Sequence, residues 1–252
     1  MMKNSPKYLI RLTLTLVAIA CLLSNSIYVP VAQAQTSEAT YYREKRIHNP
    51  DGIGKYYLRR EIAQVMGHQA INWLERESRL TEEKPDLTVQ NLNLKPDDVV
   101  ADIGAGSGYF SFRLAQQVPG GKVYAVDIQP EMLDAITSVQ KERQITNIET
   151  VLGQETSPNL PPESIDLVLM VDAYHEFAYP REMMEAIVQA LKPGGRVVLL
   201  EYRQENPMIM IKPLHKMTQK QVKKELQAVG LKWQETKEFL PEQHFLSFSK
   251  PT

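Results

Sequence analysis

The chain has 252 residues, of which 43% are hydrophobic and 23% charged, and its formal net charge is −1. That is enough for one substantial core, and the balance lacks the basic surface that a nucleic-acid partner demands. The single cysteine, Cys21, excludes an intramolecular disulfide framework and a cysteine-clustered metal site.

The first element is a targeting signal. Lys3, Lys7 and Arg11 precede an apolar run, LTLTLVAIACLL, and Ala32-Gln33-Ala34 supplies an A-x-A cleavage site. The sequence therefore predicts an export signal over residues 1–34, whose removal also removes the only thiol. The apolar run is shorter than the roughly 20 residues of a membrane span. An uncleaved anchor is the alternative, helped by the apolar character of Ile27 to Val31. A lipoprotein site at Ala20-Cys21 fits less well, because the apolar run continues past the cysteine.

From Gln35 to about Lys55 the chain reads as an extended polar arm with a turn at Asn49-Pro50-Asp51-Gly52. Ile62, Val65, Met66, Ala70, Trp73 and Leu74 recur at helical spacing and predict a helix, with a second short one near Leu87 to Leu94. Met66, Gly67, His68 and Trp73 form either core packing, the preferred reading, or a lid. Residues 35–94 are thus an arm and a helical extension preceding a domain over 95–252. In that domain strands and helices alternate: strand Val99–Ile103, helix Tyr109–Val118, strand Lys122–Asp127, a helix from Pro130, strand Ile148–Leu152 and strand Ile165–Val171. A helix over Arg181–Leu191, ended by Lys192-Pro193-Gly194-Gly195, leads to strand Arg196–Glu201. Thr218 is an N-cap signal for a helix ended by Gly230, and strands near Leu231–Phe239 and His244–Ser249 close the chain. The repeated βα units predict a doubly wound α/β fold with a mostly parallel sheet. The short connection between the last two strands requires an antiparallel hairpin.

The stretch VVADIGAGSGYF is a strand, a glycine turn and a helix start, at the strand end where open α/β sheets bind ligands. Its G-x-G-x-G spacing departs from the G-x-G-x-x-G of nicotinamide enzymes. Asp127 ends the next strand at a distance along the chain where an acid can grip ribose hydroxyls.

Together DIGAGSG, VYAVDI, IDLVLMVDAYHEF and LKPGGRVVLLEYR resemble, in order, the motifs of class I S-adenosylmethionine-dependent methyltransferases, and the resemblance runs from about Asp97 to Ser249. It implies a seven-stranded Rossmann-like sheet ending in a reversed hairpin, S-adenosyl-L-methionine as cofactor, and methyl transfer to an acceptor, read as a small molecule. By position, Asp102, Gly104 and Gly106 would surround the methionine part. Asp127 would take the ribose hydroxyls, Ile128 the adenine face, Gln154 the adenine amino group and Asp172 the cofactor's amino end. Many relatives carry an acid where this chain has Gln154. The same fold could instead serve a non-catalytic binding module.

Tyr174 and His175 follow the fourth strand of the motif set and are the catalytic candidates. His175 is either an acceptor-side base, its ordinary pKa lying near neutrality, or a histidine bonded to nearby backbone. Tyr174 either walls the acceptor pocket or acts chemically. His215, after the fifth strand, is a substrate-side or a surface residue. Five histidines without H-x-x-x-H spacing predict no metal.

Overall fold

The computed structural model describes residues 41–252. The signal, its cleavage site and the start of the arm lie outside the described residues. Among those described, no helix is long and apolar enough to cross a membrane.

The N-terminal extension opens as a three-stranded antiparallel sheet, β1 (Tyr42–Glu44), β2 (Gly52–Tyr57) and β3 (Arg60–Ala63). The turn read at Asn49 to Gly52 closes with a Gly52 N–H to Asn49 carbonyl bond of 2.9 Å. Here the extended-arm and single-helix expectations fail. Tyr57 pairs with Arg60 across a two-residue turn in which Leu58 and Arg59 take φ of 46° and 82°. Hairpin turns of this hand need positive φ, which glycine and asparagine usually advertise, and neither is present. Ile62 consequently sits buried in β3. Val65 and Met66 lie in irregular chain, and only a 3-10 turn (His68–Ala70) and the short α1 (Ile71–Leu74) are helical. Two further short helices follow, α2 (Arg79–Glu82) and α3 (Pro85–Asn91).

The domain then alternates β4 (Val99–Ile103), α4 (Ser111–Gln117), β5 (Lys122–Asp127), α5 (Pro130–Arg143), β6 (Ile148–Leu152), β7 (Ile165–Val171), α6 (Pro180–Ala190), β8 (Leu191–Tyr202), α7 (Gln219–Gln227), β9 (Lys232–Lys237) and β10 (Gln243–Ser249). Proline opens α5 and α6, where its missing N–H costs no helical bond. The Thr218 hydroxyl accepts from Gln221 N at 3.1 Å and caps α7.

The main sheet has the order β6-β5-β4-β7-β8-β10-β9. Strands β4 to β8 run parallel to one another, while β10 runs antiparallel to β8 and also to β9, the latter as the short connection required. Strand β8 begins five residues earlier than the motif reading placed it. The register shift between Ile165↔Leu191 and Leu167↔Arg196 accommodates Lys192 to Gly195 as an irregularity. Alternate residues of β7 face two separate cores, Val168 and Met170 with the α6 residues Met183 and Ile187, and Leu167 and Leu169 with Leu114 and Ile136. Burial on both faces explains why this strand is continuously apolar. The chain winds outward from β4 to β6, then returns to β7 beside β4. The carboxyl ends of β4 and β7 therefore flank the switch point, where such sheets open a ligand crevice.

Candidate active site

A cavity of about 550 Å³ occupies that crevice. Gly104 and Gly106 line it, with φ of 75° and 55°. A Cβ at Gly104 would stand 2.6 Å from Ala173 Cβ, and one at Gly106 would stand 2.7 Å from Leu74 Cδ1. Glycine is therefore required first by close packing against the chain after β7 and against α1. Asp102 does not line the cavity. It is buried behind the turn, where Ser111 Oγ donates to its Oδ2 at 2.6 Å, and burial pushes its carboxyl up to about 6. Through Ser111 it ties the strand end to the start of α4.

Asp127 lines the cavity from the end of β5. Its Oδ2 accepts from Gly106 N and its Oδ1 from Gln129 N, both at 2.9 Å, so it joins the strand end to the glycine turn. Burial raises its pKa, against the opposing effect of the Gln129, Gly106 and Ile128 amides. Each carboxylate oxygen retains acceptor capacity. Ile128, beside it, presents an exposed apolar side chain to the cavity. Gln154 is absent from the wall. It is exposed and pairs with Ser157 in an isolated bridge, while Gly153 and Glu155 line the cavity on either side of it.

Asp172 follows β7 in left-handed backbone, φ 48°, and is a half-buried residue of the cavity wall. Its Oδ2 accepts from Gln243 Nε2 at 2.6 Å, whereas its Oδ1 and Gln243 Oε1 have no hydrogen-bond partner among the described residues. Burial, with the nearby Glu83 and Glu201, raises this carboxyl well above its ordinary range. A carboxyl group on the cavity wall with one oxygen outside any hydrogen bond among the described residues suits a ligand ammonium group. S-adenosyl-L-methionine carries one, together with ribose hydroxyls matched to Asp127, so the residues present fit the cofactor that the motifs imply.

The same wall holds a network that the sequence reading missed. Arg79 Nε donates to Glu83 Oε2 at 2.8 Å, Arg76 Nη2 donates to Glu83 Oε1 at 2.8 Å, and Arg76 Nη2 also reaches the Tyr202 hydroxyl at 3.0 Å. Only the charge density of Arg76 to Glu83 hinted at it. The core-packing reading of Met66, Gly67, His68 and Trp73 is also overturned. None of these side chains is buried, and Met66 and Trp73 line the cavity. The segment is pinned across it by Met66 N to Glu176 Oε2 (3.2 Å), His68 N to Gln129 Oε1 (2.8 Å) and Gln129 Nε2 to Met66 O (3.0 Å). Ser107 Oγ also donates to Glu75, just past α1.

His175 lies on a 3-10 turn, Tyr174–Glu176, and is 2% exposed. Its Nδ1 is 2.6 Å from Glu201 Oε2, and its Nε2 is 3.1 Å from His215 Nδ1. Burial drives the histidine pKa down and the Glu201 carboxyl up, so the pair disfavours separated charges and the near-neutral titration expected for His175 is absent. Glu176 and His215 complete this side of the wall. Glu201 was unassigned by motif, although a carboxylate closing the apolar run Val197 to Leu200 was its available signal. Tyr174 is a correction: it is fully buried in the core against Phe177, at 5.4 Å between ring centroids, and does not line the cavity. Tyr174 packs into the core cluster with Met183 and Ile187, whereas His175 lines the cavity.

The sheet order with its reversed last pair, the glycine turn and the strand-end acid define a class I S-adenosylmethionine-dependent methyltransferase. Residues 94–244 match the model of a family described as a methyltransferase domain, and the chain belongs to that family. An uncharacterized methyltransferase-like protein of Schizosaccharomyces pombe is 31% identical over 137 residues, covering 54% of this chain and 51% of that protein. The demethylmenaquinone methyltransferase of a Geobacillus species is 25% identical over 164 residues, 64% of this chain and 65% of that one. The crystal structure of a SAM-dependent methyltransferase from Aquifex aeolicus superposes with a TM-score of 0.70 at 23% identity, covering 73% of this chain and 99% of the other. The chain thus spans about half the length of the first of these curated relatives.

Proposed function

We propose that this protein transfers the methyl group of S-adenosyl-L-methionine to a small-molecule acceptor that enters against His175, Glu176 and His215. One observation carries the reading. A single cavity has the glycine turn, Asp127 and Asp172 on its wall together with the cluster of His175, Glu176 and His215. The bound cofactor supplies an intrinsically activated methyl group, which leaves the protein the tasks of alignment and water exclusion. Asp127 is the ribose acceptor, Ile128 the adenine wall and Asp172 the partner of the cofactor's amino end, with Gly104 and Gly106 beneath its methionine part. His175 meets the acceptor as an oriented neutral imidazole, because Glu201 fixes its Nδ1 side. Val65, Met66, Trp73 and Leu74 add an apolar wall to the cavity, which favours a small acceptor over a polymer.

The deciding experiment supplies labelled S-adenosylmethionine and the purified protein to a fractionated cell extract, followed by mass identification of the product. Label in a low-molecular-weight fraction is expected. Label confined to RNA or protein would overturn the acceptor class, and binding of S-adenosylhomocysteine without any transfer would favour the non-catalytic module. We also propose export with cleavage after Ala34, supported by the basic and apolar pattern of residues 1–34. Mass spectrometry of the expressed full chain should find an N-terminus at Gln35, and an intact Met1 in membranes would establish an anchor.

A further inference from the structure

We infer that His175, Glu176 and His215 form a site for a divalent transition-metal ion, zinc being the best fit, which holds the acceptor's reacting atom. The proposal rests on the methyltransferase reading for its acceptor, and on geometry alone for its metal. His175 Nε2, His215 Nδ1 and Glu176 Oε1 form a triangle with sides of 3.1, 3.4 and 3.7 Å. A tetrahedral ion with ligands at about 2.0–2.1 Å separates them by roughly 3.3 Å. The three atoms thus already stand at the spacing of one face of such a coordination shell, and two histidines with one carboxylate is a ligand set that zinc enzymes use.

The surroundings supply what a metal site needs beyond its ligands. Glu201 Oε2 lies 2.6 Å from His175 Nδ1, which directs the lone pair of Nε2 toward the cluster. A carboxylate behind a ligating histidine fixes the tautomer and ring orientation in this way. Glu176 Oε2 is engaged by the Met66 amide at 3.2 Å, leaving Oε1 for the cluster. His215 comes from a different loop, set by its own N–H to Lys212 O at 3.0 Å and by Lys212 Nζ to Asp51 Oδ1 at 2.5 Å. All three ligands line the cavity, so the remaining coordination position opens toward the acceptor.

This assigns the acceptor a chemical class: a hydroxyl or thiol compound that coordinates as its anion. Coordination lowers the pKa of the bound group, and its proton leaves to solvent. The lone pair of the bound oxygen or sulfur then forms the new bond to the methyl carbon while the carbon–sulfur bond of the donor breaks, its electron pair remaining on the departing thioether.

The test uses full-length, untagged protein dialysed against a chelator, titrated calorimetrically with zinc chloride and separately with S-adenosylhomocysteine. One zinc per chain is expected, with binding abolished in His215→Ala and weakened about 10- to 100-fold in Glu201→Gln, the usual effect of losing a carboxylate behind a metal-bound histidine. Cobalt(II) loading should give the intense visible bands of a tetrahedral site, absent in His215→Ala. Circular dichroism and retained S-adenosylhomocysteine affinity identify folded variants, and His215→Gln serves if the alanine variant fails that check. Saturable cofactor-product binding without zinc binding, or zinc binding unchanged in a folded His215 variant, overturns the metal site alone. Zinc binding without S-adenosylhomocysteine binding overturns the methyltransferase reading and leaves the metal site standing.

Discussion

Replacing Asp127 by alanine separates two tasks that one carboxylate performs. Its oxygens accept from Gly106 N and Gln129 N at 2.9 Å each. Bonds to a charged acceptor contribute about 1.5–3 kcal/mol each. Gln129 is half-buried and its amide can turn to water, whereas Gly106 is buried and its amide is left without a partner. The folding cost should therefore be close to one such bond, about 1.5–3 kcal/mol. The binding cost is separate: each ribose hydroxyl that loses the carboxylate weakens affinity roughly 10- to 150-fold. Urea denaturation measures the first and calorimetry with S-adenosylhomocysteine the second. Asp127→Asn keeps one oxygen and should fall between wild type and Asp127→Ala in both assays. A folded Asp127→Ala protein with wild-type affinity would remove Asp127 from the cofactor site and leave it as a turn-holding residue only.

Gly104→Val must place a branched side chain at φ 75° with its Cβ 2.6 Å from Ala173 Cβ; roughly 1–3 kcal/mol of backbone strain adds to the clash, and both melting temperature and S-adenosylhomocysteine binding should drop. Wild-type values in both would show that the turn has room to relax. Asp102, raised by burial from 3.8 to about 6, binds its proton more tightly when folded, so its contribution is complete below the unfolded value and is lost as pH rises through the folded one. The loss is about 3 kcal/mol over that window, and Asp102→Asn should remove this part of the pH dependence of stability; parallel wild-type and variant curves between about pH 4 and 6 would refute the assignment. Arg60→Met leaves Glu225 buried without its guanidinium partner and should cost about 3–5 kcal/mol in urea denaturation, with much of the loss recovered in the double variant Arg60→Met, Glu225→Leu.

Strands β4, β7 and β8 were legible because each carries an apolar run long enough for burial on both faces and bounded by turn residues, and the edge strand β6 (IETVL) only from its place in the βα alternation. The antiparallel end followed from connection length alone. The N-terminal sheet was not legible: the Leu58-Arg59 turn lacks the residues that announce positive φ, and Ile62 to Leu74 imitates helical spacing while lying in four different conformations. In the site, Asp127 was readable because glycine turn and strand-end acid sit at a fixed spacing within one βα unit. The cluster around His175 was not, since Glu201 and His215 lie 26 and 40 residues further along the chain and meet it only through the sheet and the loop after β8. Gln154 and Tyr174 failed for a common reason. A motif fixes the position of a residue along the chain, but the local bridge at Gln154 and the 3-10 turn at Tyr174 decide where each side chain points.

The N-terminal extension is built into the domain and its cavity wall rather than appended to them. Arg60 shows this most directly. Its Nε and Nη2 grip both oxygens of Glu225 on α7 at 2.8 Å, and its Nη1 donates to the carbonyl of His175 at 3.0 Å. One largely buried guanidinium thereby links β3 to the helix after β8 and to the turn bearing His175. Tyr42 on β1 donates to Glu182 of α6, and Met66 reaches Glu176. The extension also carries Val65, Met66, Trp73, Leu74, Arg76 and Arg79 onto the cavity wall. The family match begins at residue 94, so the cofactor half of the cavity belongs to the shared domain, while much of its cover lies outside the matched range. A protein that shares only the matched domain need not share this part of the wall, so the cover of the cavity is free to differ where the domain itself does not.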